Sequence, residues 1–349
     1  MADVIGNEES SSSQLLFPWI PTRVEQLQNN LEDDDLSALP TRYVLEENVS
    51  LERFLSYEKG NPKVKLQYDN GTVYITQLYP SVIHDRIAPW IMVYMIQNRM
   101  DHLMSEQGRM MDVAPGIRYM ADNCIIPTGR PDPVAGGLLA SNPGNHPFPI
   151  IIIEVGVHSS SLDLLHQRAV NYLGATTDIQ FVICIKLFSR YPNQNHLGGP
   201  VNALGVPPAT TFCALAFLYR RAAGLAPIRP THVVSFGARP LVHGPTITFF
   251  TGLGVPQASI LGYKHPIAAN PYFAPPAPVL GVLPPAVPAQ YLLQLPIAEV
   301  FNGVPGGVPV IHPPGLLGPD DPGLPNPATI DVDLCTLRKM IEATPNFHY

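Results

Sequence analysis

Two acidic residues stand in stretches of sequence that are otherwise typical of buried strands. Asp122 interrupts the run YMADNCII, and Glu154 directly follows four isoleucines in PIIIIEV. Burial penalises a charged carboxylate unless a cation, a hydrogen-bond network or protonation compensates for it. A divalent metal ion is the simplest such partner, and hard oxygen ligands select Mg²⁺ or Mn²⁺ over zinc. Taken singly, each residue would more often cap a helix or pair with a basic side chain.

The elements that must position these carboxylates form one compact α/β unit over residues 51–187. In KVKLQYDNGTVYIT, alternating arms around Asn70-Gly71 predict a hairpin, because this dipeptide tolerates the positive φ of a two-residue turn. Apolar patterns predict a strand over 116–126, a fully buried strand over 149–155, an amphipathic helix over 163–173 and a buried strand over 179–187. Strand, helix and strand in so short a span imply a right-handed parallel crossover.

Further elements flank this unit. The segment NVSLERFLSY has the polar caps and apolar spacing of a short helix. Residues 81–106 carry apolar side chains at three- and four-residue intervals, which predicts a long helix. Pro89 removes one backbone hydrogen bond there, so we expect either a kink or a helix that starts near Ala88 after a separate turn carrying His84. We also expect strands over 210–219 and 231–236.

Proline sets the organisation of the rest of the chain. Of 349 residues, 46% are hydrophobic and 40 are prolines, and 18 prolines fall within residues 255–328 beside only four charged residues. Such a segment cannot sustain long helices or central strands, so one core with long decorations is expected. The segment could recruit partners through extended polyproline stretches or could pack on the core.

The chain therefore divides into four predicted parts. These are an acidic, mostly disordered leader (1–47), an α/β domain (48–250), a proline-rich segment (251–329) and a closing strand and helix (330–349). No basic region followed by an apolar run opens the chain, and no window holds about 18 uninterrupted apolar residues, so we expect an intracellular protein with no membrane partner. The four cysteines form no CxxC pair, which favours buried reduced thiols.

Charge is distributed unevenly. The net charge is −7, but residues 1–60 hold 12 acidic and 4 basic side chains, so the acidity belongs to the leader. Residues 179–298 contain no Asp or Glu. They carry seven basic residues: Lys186, Arg190, Arg220, Arg221, Arg229, Arg239 and Lys264. These could form a phosphate-facing surface or could be scattered solubilising charges.

The order of the parts over residues 49–187 resembles the PD-(D/E)xK nuclease superfamily, and within it the Uma-type restriction endonuclease branch. The resemblance is carried by SLERFLSYEKGN, LQYDNGTVYIT, LYPSVIH, YMADNCII and IIIIEV, in that order. It implies a restriction-endonuclease-like α/β core with a central mixed sheet flanked by helices. It also implies that Asp122 and Glu154 hold Mg²⁺ or Mn²⁺, with the backbone carbonyl of Val155 as a further metal ligand, and that DNA is the partner if the protein is active.

The departures from that family bear on activity. Gly156 stands where the superfamily has a lysine, and the Uma-type branch places its lysine on the following helix, where this chain offers Gln167 or Arg168. Gln167 could orient a water, whereas Arg168 stays protonated and could stabilise charge on a phosphate. Lys186 is a third candidate or a solvated strand-end lysine.

Two hypotheses follow from the residues together with the resemblance. The first is a Mg²⁺-dependent endonuclease-like protein that hydrolyses phosphodiester bonds, with one or two ions orienting the attacking water. In it, His84 reaches the site from the first long helix as a metal ligand or phosphate contact, or is only a capping histidine. The second is a catalytically degenerate nuclease fold that serves as a nucleic-acid-binding or protein-interaction module.

Overall fold

The structure is a computed structural model that describes most of the central part of the chain and several segments beyond it. The described residues are 43–60, 66–75, 84–97, 102–133, 139–142, 144–157, 161–188, 213–237, 244–260, 291–309 and 328–343. They form a mixed α/β fold with a central sheet between helices, which confirms the predicted fold class.

Strands and helices are numbered here along the described chain. The strands are β1 (Tyr43–Glu46), β2 (Leu66–Asp69), β3 (Thr72–Ile75), β4 (Leu103–Gln107), β5 (Met110–Ala114), β6 (Ile117–Met120), β7 (Asn123–Pro127), β8 (Ile151–Gly156), β9 (Phe181–Phe188), β10 (Cys213–Arg220), β11 (His232–Ser235), β12 (Leu292–Pro296) and β13 (Thr329–Asp333). The helices are α1 (Leu51–Gly60), α2 (His84–Gln97), α3 (Leu162–Tyr172), α4 (Gly244–Gly252), α5 (Gln257–Ile260), α6 (Ile297–Val300) and α7 (Leu334–Ala343).

The central sheet has six strands in the order β11-β10-β9-β8-β7-β4. Strands β8 and β9 run parallel, and the other neighbours are antiparallel, so the sheet is mixed. A second sheet, in the order β1-β3-β2-β6-β5, and a hairpin of β12 with β13 complete the described strands.

Both faces of the central sheet are covered. Side chains alternate along β8, so Ile151 and Ile153 join the core under α2, α7 and the β12–β13 hairpin. Ile152 instead joins the core under α3, α4 and the second sheet. A strand buried on both faces reads as a continuous apolar run, which is why a charged residue at its end has to be compensated within the protein.

Several predicted elements are confirmed. The hairpin turns at Asn70 and Gly71, whose φ angles are 46° and 88°, with Asp69 opposite Thr72. The short helix before it is α1, the buried strand is β8, the amphipathic helix is α3, and β9 follows in parallel with β8. Strands β10, β11 and β13 and helix α7 also lie where the patterns predicted them.

Two predictions about the middle of the chain are wrong. The predicted helix over 81–106 is shorter: α2 starts at His84, contains Pro89 and ends at Gln97, and residues 103–107 form β4. Pairing of β4 with β7 overrides the helical pattern there. The predicted strand over 116–126 is two strands in different sheets, because β6 pairs with β5 and β2 whereas β7 pairs with β4 and β8. Asp122 lies in the bend between them.

Part of the proline-rich segment packs on the core. Within its described residues, Leu293, Leu295 and Phe301 are buried in the same cluster as Val332 of β13. The four cysteines are buried and unbridged, as the sequence indicated. In the described part of the chain, no helix has the length and apolar character needed to cross a membrane.

Candidate functional site

Asp122 and Glu154 lie across from each other where the β7–β8 ladder ends. Asn123 is opposite Ile153 in that antiparallel pair, so the next positions outward are Asp122 and Glu154. The Oδ2 atom of Asp122 accepts a hydrogen bond of 2.7 Å from the backbone amide of Val155. The structure therefore brings the two predicted carboxylates and Val155 to one place. Val155 contacts Asp122 through its backbone amide, whereas the expected metal ligand is its backbone carbonyl.

Both oxygens of Glu154 accept hydrogen bonds from helix α3. Arg168 Nη1 donates to Oε2 at 2.8 Å, and Tyr172 Oη donates to Oε1 at 2.7 Å. These residues are four apart, so they share one face of the helix. Glu154 is only 1% exposed, and this buried ion pair with a phenol compensates its charge. Ser161 caps the helix by accepting from the Leu164 amide, which fixes where the helix starts.

Arg168 is the cation of the site. Its Nη2 donates to Gln67 Oε1 at 3.4 Å, and its guanidinium carbon lies 5.7 Å from the centre of the Tyr119 ring. Burial lowers the pKa of Arg168, but the charges of Glu154 and, further off, Asp122 outweigh it, so the pKa is raised above its ordinary value. The guanidinium therefore stays charged between the acidic residues, and it cannot serve as a general base.

The neighbouring titratable groups stay neutral. Burial and the charge of Glu154 raise the pKa of Tyr172 well above its ordinary value, so the phenol keeps its proton and remains a donor. Cys184 is the partner of Glu154 in the β8–β9 register, and burial followed by the same charge raises the pKa of its thiol. This thiol is inert, because the thiolate is the nucleophilic form.

The other predicted site residues have different outcomes. Gln167 is exposed and donates to Asn171 at 3.3 Å, so of the two helix candidates only Arg168 contacts Glu154. His84 is the first residue of α2, which packs on the face opposite Glu154, and its side chain lies outside the described residues. Its role stays a prediction.

Pattern reasoning missed Gln67 and Tyr119 as parts of the site. Gln67 has no exposed surface although it lies on a short hairpin strand, and Tyr119 Oη accepts from Asn171 at 2.5 Å. Gln67 is a polar residue between Leu66 and Tyr68, which are both buried in the first strand of the hairpin. That position was the one available signal that Gln67 could be buried as well. No local signal joins it to Arg168, which is 101 positions away.

The donors and acceptors here do not fit a resident divalent ion. Glu154 has both oxygens engaged, and the buried side-chain atoms of this site without a hydrogen-bond partner among the described residues are donors, Gln67 Nε2 and Arg168 Nε. Donors fit an acceptor and not a cation. A divalent ion on Glu154 would lie within about 5 Å of the guanidinium, a repulsion of order 7 kcal/mol at an effective dielectric constant of about 20. The described residues also hold no group of three His, Cys, Asp or Glu side chains arranged for a metal.

The described members of the acid-free basic stretch are engaged within the protein. Arg220 pairs with Glu299 through two nitrogens. Arg221 donates to Ile179 O and Thr177 Oγ1. The Nζ of Lys186 donates to the Val157 carbonyl. Arg229 is exposed, and its Nη1 donates to Leu253 O at 3.4 Å. The remaining basic residues, Arg190, Arg239 and Lys264, lie outside the described residues.

Comparison with solved structures includes a distant likeness to a nuclease-type protein. No family model matches the chain, and no curated protein matches it. A crystal structure of a "putative nuclease belonging to DUF820" from Anabaena variabilis aligns with 56% of this chain and 89% of its own, at 10% sequence identity and a TM-score of 0.30. At that score the backbones diverge widely, so the proposals below make no use of this likeness.

Proposed function

We propose that this protein is a catalytically degenerate nuclease-type fold that binds nucleic acid without hydrolysing it. The observation that carries the proposal is the buried contact of Arg168 and Tyr172 with Glu154, which supplies the carboxylate with a fixed cation and a second donor. The family resemblance points to nucleic acid as the partner.

The contacts of Glu154 support a protein that does not hydrolyse phosphodiester bonds. Metal-assisted hydrolysis needs carboxylate oxygens that hold the ion, together with a group that activates water. The oxygens of Glu154 are occupied, and Gly156 offers no side chain where the superfamily has its lysine. Arg168 takes the place of that lysine near the carboxylates but stays protonated. The first requirement is therefore unmet at Glu154, and neither Gly156 nor Arg168 meets the second.

A nicking assay with metal titration tests the proposal. Supercoiled plasmid is incubated with wild type, Asp122→Asn and Glu154→Gln in Mg²⁺ and in Mn²⁺, and duplex binding is followed by fluorescence anisotropy. We expect equal background nicking by all three proteins, no saturable Mn²⁺ binding and saturable duplex binding. Metal-dependent nicking by wild type alone, or no binding of nucleic acid, would overturn the proposal.

A metal-dependent endonuclease is the second candidate. It is favoured by the position of Asp122 directly beyond the β7–β8 ladder and opposite Glu154, the placement that a shared ion needs. In this case Arg168 has to leave Glu154 when the ion and substrate bind. The candidate predicts saturable Mn²⁺ binding that Asp122→Asn and Glu154→Gln both abolish, with nicking lost in parallel. Binding of Mn²⁺ without nicking would reject the enzyme.

A further inference from the structure

A surface pocket of 320 Å³ lies beside β11, the outer strand of the central sheet. Residues between 223 and 233, which lead into β11, form one wall, and residues 254–256, which follow α4, form the other. Val233 and Val255, which line the pocket, also belong to the core beneath it. Strands β10 and β9 separate β11 from β8, so the pocket is distinct from the Glu154 site.

Hydrogen bonds of the backbone hold both walls in place. The Thr231 amide donates to Leu218 O at 2.8 Å, which ties the first wall to β10. In the second wall, the Gly254 amide donates to Thr251 O at 2.9 Å, which ties the turn to the end of α4. The fold itself therefore sets the shape of the pocket, as is usual for small-molecule sites.

Arg229 is the permanently charged side chain among the residues that line the pocket. Its Nη1 donates to Leu253 O at 3.4 Å, which is longer than most hydrogen bonds, and no carboxylate of the described chain pairs with it. Every described residue that lines the pocket belongs to the stretch 179–298, which contains no Asp or Glu. The pocket therefore carries a fixed positive charge that none of its lining residues neutralises.

Gly254 allows the guanidinium of Arg229 to lie against the turn after α4. A Cβ atom at this position would be 2.4 Å from Arg229 Nη1, which is too close for any side chain. The φ angle of Gly254 is 79°, in the left-handed region that glycine adopts readily. An alanine here would push the guanidinium away from its present place beside the pocket.

The composition of the walls indicates which ligand fits. They are mostly apolar, and Pro230 and Pro256 add to the surface of the two valines, so they suit an apolar body. One guanidinium matches one negative charge, and its planar fork can bind a carboxylate through two hydrogen bonds. Sites for single-stranded nucleic acid add aromatic rings on which bases stack, but the described lining residues include no Phe, Tyr or Trp. The walls therefore favour a small carboxylate over a nucleotide.

We propose that this pocket binds a small molecule that carries one carboxylate on an apolar body, with the carboxylate on Arg229. Its volume of 320 Å³ is at the lower end of the range of small-molecule sites, about 300–1,000 Å³, which limits the apolar body to roughly one ring. The inference goes beyond the proposed function, because it involves neither nucleic acid nor the carboxylates of Asp122 and Glu154.

Titration with benzoate, followed through the NMR signals of the ligand, tests the pocket on the full chain. Benzamide has the same shape without the charge and is the reference at matched ionic strength. We expect saturable benzoate binding with a Kd of about 1 mM or below, and binding of benzamide that is about tenfold weaker. Absence of saturable benzoate binding, or equal affinity for the two compounds, would overturn the proposal.

Arg229→Met and Arg86→Met are the matched variants, because both arginines are exposed and only Arg229 lines the pocket. Benzoate affinity should fall about tenfold in Arg229→Met and stay unchanged in Arg86→Met. Gly254→Ala should also weaken binding, since it displaces the guanidinium. Gly252→Ala is its control, because a Cβ there meets nothing within 4 Å. Wild-type affinity in Arg229→Met or Gly254→Ala, or equal losses in a variant and its control, overturns the proposal.

Chemical modification locates the bound carboxylate without any substitution. Phenylglyoxal modifies exposed arginines, and mass spectrometry follows Arg229 and Arg86 with and without benzoate. Protection of Arg229 alone supports the pocket, and equal modification of Arg229 in both samples contradicts it.

Titration with dAMP distinguishes a carboxylate ligand from a nucleotide. Weaker binding of dAMP than of benzoate supports the proposal. Tighter binding of dAMP that Arg229→Met abolishes would assign the pocket to a nucleotide and overturn the carboxylate. The nicking assay is independent of these results, because it reports on Asp122 and Glu154.

Discussion

Two buried cations lie on the same face of the central sheet, and the chain compensates them differently. Arg168 contacts a carboxylate, and the charges of Glu154 and Asp122 raise its pKa. Lys186 contacts a backbone carbonyl, and burial lowers its pKa to about 7. The difference shows that the partner, and not burial, decides whether a buried cation is held in its charged form.

Glu154→Ala should have the largest effect on stability, because it removes the carboxylate that compensates the charge of Arg168. It leaves the guanidinium of Arg168 buried without its carboxylate, so the free energy of unfolding should fall by about 3–5 kcal/mol. Urea denaturation followed by circular dichroism measures it. The double variant Glu154→Leu with Arg168→Met is the control, and it should recover most of the loss. A cost below about 1 kcal/mol in Glu154→Ala would show that water reaches the pair.

The pH dependence of the free energy of unfolding should show the contribution of Lys186, the cation that contacts no carboxylate among the described residues. In the unfolded chain Lys186 has its ordinary pKa of 10.5, whereas burial lowers the folded value to about 7. Between these values the unfolded state binds more protons, so this group makes the free energy of unfolding rise with pH by up to about 1.4 kcal/mol per unit, and the gain is lost as pH falls to 7.

The comparison of wild type with Lys186→Met between pH 7 and pH 9 isolates this contribution, because other titrating groups cancel. Wild type should gain about 2–3 kcal/mol relative to the variant over that window. Chemical denaturation at each pH measures the difference. Parallel pH profiles of the two proteins would show that Lys186 keeps its charge in the folded state.

Tyr172→Phe should have a smaller effect. It removes the 2.7 Å hydrogen bond to Glu154 Oε1 and leaves the ring in place, so the free energy of unfolding should fall by about 1.5–2 kcal/mol. Tyr68→Phe is the matched control, since that phenol donates to the neutral carbonyl of Val49 and should cost about 1 kcal/mol. Equal losses would mean that the hydrogen bond to the Glu154 carboxylate contributes no more to the free energy of unfolding than one to a neutral carbonyl.

Gln167→Ala should have the smallest effect. The side chain is exposed and contacts Asn171, so the free energy of unfolding should change by less than about 0.5 kcal/mol. Duplex binding should also stay at the wild-type level in the anisotropy assay. A several-fold loss of binding would bring Gln167 back as a functional residue.

The sequence by itself determined the elements whose signals are local. The Asn70-Gly71 turn, the isoleucine run of β8 and the amphipathic period of α3 each fall within about a dozen residues, and each was confirmed. It also identified Asp122 and Glu154, because a carboxylate in an apolar run is conspicuous wherever the chain folds.

Only the tertiary structure decided which residues compensate these carboxylates. Gln167 and Arg168 are adjacent in sequence, but one turns to solvent and the other to Glu154, because helix orientation depends on what the helix packs against. The sequence left Lys186 as a third candidate for the missing lysine or as a solvated strand-end lysine, and only the structure showed that it is buried. Charge compensation joins residues 14 to 101 positions apart, and no local periodicity encodes such distances.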